Sequence, residues 1–329
     1  MTTFHQCSNP KKYTFLFLAF FLSLRLSAQE DPLPSWNDGQ VKQSIISFVK
    51  SVTAEGTDKF VPVEDRIATF DNDGTLWAEK PLIQGLFAIF RVNRMVQANP
   101  ALKNKQPFKA VLENDKSYFA RTGEKGLIEL IEVTHTGLTE KDFAAEAKLF
   151  FETVKHPSLD VPLANVLYQP QLELLVYLRM NGFKTFICSG GTAELMRAIS
   201  KTYYGIPPEQ VIGTQFKYRY IDSAGVNDIM RLSGVNTLND KQEKPVNIQY
   251  HIGKRPILAC GNEGGEGDVY MLRFCQGNTY PSLQLLVNHD DAQREFMYQE
   301  KSNKSLNMAA QYHWQVISVR NDWKTVFNK

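Results

Sequence analysis

Apolar and polar positions divide the chain into two regimes. Over residues 37–53 the apolar side chains Val41, Ile45, Ile46, Val49 and Val52 recur at helical spacing, which predicts an amphipathic helix. Residues 66–70 form a short β-rich run that ends in Asp71-Asn72-Asp73-Gly74-Thr75. The next hundred residues are mainly helical in pattern: LIQGLFAIFRVNRMVQ (82–97), KGLIELIEVTH (125–135) and EKDFAAEAKLFFETVK (140–155) combine helical periodicity with good helix formers.

From Pro170 helix and strand alternate. QLELLVYLRMNG (171–182) reads as a helix closed by Gly182, and FKTFICSGG (183–191) as a buried strand entering a glycine turn. TAELMRAISKTYYG (192–205) is a helix, QVIGTQFKYRY (210–220) is extended, and RPILACG (255–261) and SLQLLVNH (282–289) are further strands. Such alternation predicts an α/β fold, a largely parallel sheet covered on both faces. The helical block at 80–165 interrupts it after the first strand, as an insertion over the sheet's carboxyl edge.

The first residues obey other rules. Lys11 and Lys12 precede the apolar run TFLFLAFFLSL (14–24), and Leu26-Ser27-Ala28 precedes the polar Gln29-Glu30-Asp31. This predicts a secretory signal over 1–28, with the mature chain exported to the periplasm or secreted. An uncleaved anchor is the alternative, although the run falls short of the roughly 20 residues of a membrane span. No cysteine follows the run, which argues against a lipoprotein. The expected organisation is then signal 1–28, α/β core 29–79 and 166–329, and helical insertion 80–165.

Among 329 residues, 43% are apolar, and 37 Lys and Arg against 35 Asp and Glu leave a net charge of +2. That balance gives no electrostatic case for nucleic-acid binding. Beyond the signal, Cys188, Cys260 and Cys275 have no CxxC spacing and do not demand a disulfide.

Polar groups gather where strands end: Asp71 and Asp73, Ser189, Lys244 in the loop NDKQEKP, and residues 262–268 after PILAC. In a parallel sheet these ends converge on one crevice. Two carboxylates splayed by a turn at Asp73-Gly74 allow one to attack a phosphate ester and the other to move a proton. Ser189 with the backbone N–H groups of Gly190 and Gly191 suits phosphate oxygens at a helix N-terminus. Lys244 neutralises charge on the attacking carboxylate and the phosphoryl group. Oxygen ligands from the last loop and the Asp pair suit Mg²⁺.

These residues resemble the haloacid dehalogenase-like hydrolases. DNDGT (71–75), CSGG (188–191), EKP around Lys244 and the acidic loop GNEGGEGD (261–268) occur in the family's order. The resemblance implies a Rossmann-like core with a helical cap inserted after the first strand, closing over small phosphorylated metabolites. It implies Asp71 as nucleophile and Asp73 as general acid/base, the latter typical of the family's phosphatases rather than its dehalogenases. Asn72, Gly74, Ser189, Gly190 and Lys244 would bind the phosphoryl group. Asp71, Asp73 through its carbonyl, Asn262 and Asp268 would hold Mg²⁺. SGG and the ending LLVNHDD…NDWKTVF look most like phosphoserine-phosphatase-like proteins. A phosphotransferase, or a phosphate-ligand-binding protein that has lost turnover, would use the same residues.

The last motif departs from the family pattern G-D/N-S-x-x-D by two inserted residues, with Glu263 at the usual Ser. Glu263 or Glu266 are therefore alternative ligands. His289-Asp290-Asp291 reads as a helix start with acids in its first turn. His135 and His251 read as packing or surface residues, and Trp77 as pocket wall or core. Glu79, Arg91 and Arg94 read either as solvated or as cap-entrance groups facing a charged substrate.

Overall fold

The computed structural model describes Met1–Thr3 and residues 31–328, apart from positions 224 and 265. The predicted signal lies almost wholly outside the described residues. Among the latter no helix is long and apolar enough to cross a membrane.

Helix α1 (Gln40–Thr53) buries Val41, Ile45, Val49 and Val52, the stripe its periodicity predicts. Strand β1 (Ile67–Phe70) follows, buried at every position. Helices α2 (Ile83–Ala98), α3 (Phe108–Leu112), α4 (Lys116–Thr122), α5 (Glu124–His135) and α6 (Glu140–Thr153) fill the next segment. Helix α7 (Gln169–Met180) leads into β2 (Lys184–Thr192), α8 (Ala193–Tyr204), β3 (Val211–Ser223), β4 (Val226–Thr237) and α9 (Glu243–Ile252). The chain ends with β5 (Leu258–Asn262), α10 (Val269–Gln276), β6 (Leu283–Asn288), α11 (Lys304–Tyr312), β7 (Gln315–Ser318) and α12 (Val319–Asp322).

The seven strands form one sheet in the order β4-β3-β2-β1-β5-β6-β7. All neighbours pair in parallel except β3 and β4. Alternate residues of β6 point to opposite faces: Leu285 and Val287 join a core with α1, α7 and α8, whereas Leu286 joins one with α9, α10 and α11. Both faces are thus covered, as alternating strand and helix require. The order reverses at β1, whose neighbours are β2 and β5, so the tip of β1 opens on the crevice where such sheets bind ligands.

Two elements correct the sequence expectations. The segment after His289 is not helical; Asp291 instead accepts from the backbone N–H of Gln293 and Arg294 in a turn. Lys244 is not in a loop but in the first turn of α9, where the following Pro245 is tolerated because early helical N–H groups have no partner.

The extended reading of 210–220 holds as β3, but its antiparallel partner β4 was not expected. It reaches the inserted helices through Arg231, a fully buried side chain of β4. Its Nε donates to the His135 carbonyl at 2.6 Å, and Nη1 lies 2.6 Å from Glu140 and 3.4 Å from Glu194. The guanidinium stacks 4.0 Å from the Phe143 ring centre. Backbone bonds from Gly137 N to Arg231 O and from Arg231 N to Leu138 O complete the junction. Pro32–Lys329 forms one compact unit. Cys188, Cys260 and Cys275 are buried free thiols.

Candidate active site

Asp71 extends β1 by one ladder bond, its N–H donating to the Cys260 carbonyl of β5 at 2.9 Å. The chain then turns sharply: the Asn72 carbonyl accepts from the N–H groups of Thr75, Leu76 and Trp77. Gly74 takes a φ of +73°, and a Cβ there would lie 2.1 Å from the Asn262 side chain. The turn separates the two carboxylates, and Trp77 holds the second, donating from Nε1 to Asp73 Oδ1 at 2.8 Å. Trp77 is fully buried and belongs to the core.

Lys244 joins the strand ends. Its buried ammonium lies 2.8 Å from Asp71 Oδ1 and 2.5 Å from Asp268 Oδ1. Asp268 Oδ2 accepts from the Asn262 N–H at 2.9 Å, which closes the last loop on itself. Asn262 donates from Nδ2 to Glu79 Oε2 at 2.9 Å and to the Tyr298 hydroxyl at 3.3 Å. The bonds given to Nδ2 orient the amide and leave its oxygen for another partner.

At β2 the pairing with β3 shifts register between Cys188 and Thr192, so Ser189, Gly190 and Gly191 leave the regular ladder at the cavity. The Gly191 N–H is used by the Ser189 hydroxyl at 3.2 Å, and the Thr192 N–H by Gln84 Oε1 at 2.9 Å. The Gln84 amide fills the space beside Gly191, where a Cβ would lie 1.7 Å from Nε2, so a larger residue there would have to displace the Gln84 side chain. Gln84 was missed in the sequence, although a polar residue amid the buried Ile83, Phe87 and Ala88 is a visible interruption of an apolar stripe. Tyr298 lies in an irregular segment and gave no signal.

Asp71, Asp73, Ser189, Gly190, Lys244, Asn262 and Asp268 line one cavity of about 460 Å³. Asn72 is buried beneath them with both polar atoms of its amide unpartnered. Glu79 lines the cavity as well. Other candidates point elsewhere. Glu263 Oε1 accepts from the Glu300 N–H at 2.6 Å, and Glu266 Oε2 lies 2.7 Å from Lys304 Nζ. Arg91 and Arg94 both pair with Glu146. His251 bonds the Glu209 carbonyl, and His135 is buried among aromatic rings.

The electrostatics follow from burial. Desolvation, then the charge of Asp268, pushes Asp71 well above the ordinary carboxylate range against the pull of Lys244. Desolvation lifts Asp73 to about 6, with the Trp77 bond opposing it. Burial works against the Lys244 charge, but Asp268 and Asp71 outweigh it and raise its pKa. Two buried carboxylates thus face one ammonium, with the half-buried Asp73 near by. Among the described residues no group of three or more His, Cys, Asp or Glu is arranged to hold a metal. A hard cation nonetheless fits the donors present: Asp71, the Asp73 carbonyl and the Asn262 amide oxygen are all oxygen ligands, in a cluster short of positive charge.

The model for haloacid dehalogenase-like hydrolases matches residues 68–273. Among curated proteins none matches the chain in sequence. Among solved structures, a conserved protein of unknown function from Anaerococcus prevotii aligns with a TM-score of 0.52 at 12% identity, over 87% of this chain and 94% of that one. A protein of unknown function from Bordetella pertussis gives 0.48 at 18% identity, over 77% and 97%. A phosphoserine phosphohydrolase-like protein from Francisella tularensis gives 0.43 at 18%, over 77% and 94%. With this match spanning β1 to α10 and every strand end of the cavity, the chain belongs to the haloacid dehalogenase-like hydrolases.

Proposed function

We propose that the enzyme hydrolyses small phosphomonoesters through an aspartyl-phosphate on Asp71. The observation that carries this reading is Lys244 bridging Asp71 and Asp268, with Asp73 held apart from them by Trp77. An Asp71 oxygen forms the new bond to phosphorus as the bond to the ester oxygen breaks, and Asp73 gives its proton to the departing alkoxide. Water then attacks the phosphorus of the intermediate and loses a proton to Asp73. The Asp71–phosphorus bond breaks and inorganic phosphate leaves. Lys244 offsets charge on Asp71 and the transferring group. Asp268 keeps Lys244 and the last loop in place. Asp71, the Asp73 carbonyl and Asn262 would hold Mg²⁺, which when bound supplies positive charge to the phosphoryl oxygens.

The block at 80–165 acts as the cap in this reading, since Leu82, Gln84, Ile128 and Ile131 line the cavity. Export is part of the same proposal and rests on the signal-like residues 1–28. Phosphate release from 4-nitrophenyl phosphate by the purified protein with Mg²⁺ tests the chemistry. Wild type is expected to turn over and Asp71→Asn to release no phosphate above background. Equal rates for the two would sink the mechanism.

A further inference from the structure

We infer that the alcohol released from the substrate is apolar and carries no negative charge, an inference that rests on the phosphatase reading above. Lys244 is the only Lys or Arg among the described residues lining the cavity, and Asp71 and Asp268 occupy it. The other charged groups on the wall, Glu79, Glu132 and Asp240, are acids. A substrate carboxylate would therefore meet acids on the wall and no free cation among the described residues lining it, since Lys80 beside the cavity is taken by Glu79 at 2.6 Å.

The wall has a different complement. Leu82 before α2, Ile128 and Ile131 of α5, and Val235 and Leu238 at the end of β4 come from three segments and all line this cavity, yet all five remain exposed. Exposed apolar side chains converging on one concave site mark a surface that a ligand covers. Near Ser189, Gln84 Oε1 receives the Thr192 N–H and the Thr214 hydroxyl donates to the Gly190 carbonyl, while Gln84 Nε2 is buried without a partner. The apolar side chains, not these groups, form the part of the wall left uncovered. The site matches a phosphate head at the strand tips with an alkyl chain against the inserted helices and the β4 edge.

The test compares hexyl phosphate, glycerol 3-phosphate and phosphoserine with Mg²⁺, using 4-nitrophenyl phosphate as reference. The kcat/KM for hexyl phosphate is expected to exceed each of the other two by about tenfold or more, the scale on which apolar pockets discriminate. Ile131→Asn and Leu238→Asn, at exposed positions, are expected to shrink that ratio. Phosphoserine hydrolysed as well as hexyl phosphate overturns the charge argument, and glycerol 3-phosphate doing so overturns the apolar one. Turnover of 4-nitrophenyl phosphate without hexyl phosphate overturns this inference alone. Failure of all four esters overturns the phosphatase reading and the inference with it.

Discussion

His289 Nε2 donates to the carbonyl oxygen of Gly74 at 2.8 Å, tying the turn that separates Asp71 from Asp73 to a segment beyond the sixth strand. A carbonyl only accepts, so Nε2 carries the proton. A second proton lies between Nδ1 and Glu295 Oε1, 2.8 Å apart, and Tyr168 donates to the other Glu295 oxygen at 2.7 Å. His289 and Glu295 are buried. His289→Leu would leave two buried acceptors unpaired. The expected loss is about 3 kcal/mol of stability, measured as the shift in urea midpoint, with a fall in kcat as the turn loosens. A loss no larger than that of an exposed substitution would show the contact to be incidental.

Trp77 positions Asp73 rather than touching substrate. Trp77→Phe keeps an aromatic ring in the core and removes the Nε1 donor. A bond to a carboxylate of this kind corresponds to roughly tenfold or more in rate if it is needed in the transition state. The fall is expected in kcat, with KM for 4-nitrophenyl phosphate little changed. A change in KM alone would contradict the positioning role.

On the proposed reading, the last loop sets the Mg²⁺ requirement. Asn262→Ala removes the amide oxygen assigned to the metal in that reading, so the Mg²⁺ concentration for half-maximal activity is expected to rise by about tenfold or more. Glu266→Ala touches only the Lys304 pair and is expected to leave that concentration within about twofold, as surface ion pairs contribute little. The reverse order in a metal titration would place the inserted residues in the site.

Acid should destabilise the fold through His135. Burial, followed by the charge of Arg231, lowers its pKa from 6.5 to about 3. Below pH 6.5 the unfolded chain binds a proton that the folded chain refuses, so the stability present above that pH is lost as pH falls toward 3. The contribution is on the order of 5 kcal/mol across that window. His135→Phe is expected to flatten the dependence of the urea midpoint between neutral and acid pH. Parallel profiles for the two proteins would exclude His135 as the source.

The parts of the molecule legible in the sequence are those whose burial imposes a period. β1, β2, β5 and β6 are apolar because helices cover both faces, and their ends deliver Asp71, Ser189 and Asn262. β4 is mostly exposed and pairs on one edge, so VNDIMRLSGVNT carries no clean alternation to mark it. The polar run NDKQEKP around Lys244 reads as a loop, whereas α9 begins within it, at a first turn that accepts Pro245. His289 and Tyr298 act through contacts 215 and 36 residues away in sequence, which no local pattern encodes.

A hinged lid needs a seam that parts easily, and Arg231 denies this molecule one. Swinging the inserted helices away from the sheet would strip the guanidinium of the Glu140 carboxylate, the His135 carbonyl and the Phe143 face at once, leaving it only Glu194 of α8 as a charged partner among the described residues. Any opening of the crevice along that seam has to expose a buried positive charge, so the cost of admitting an ester is set at Arg231, far from the carboxylate that attacks it.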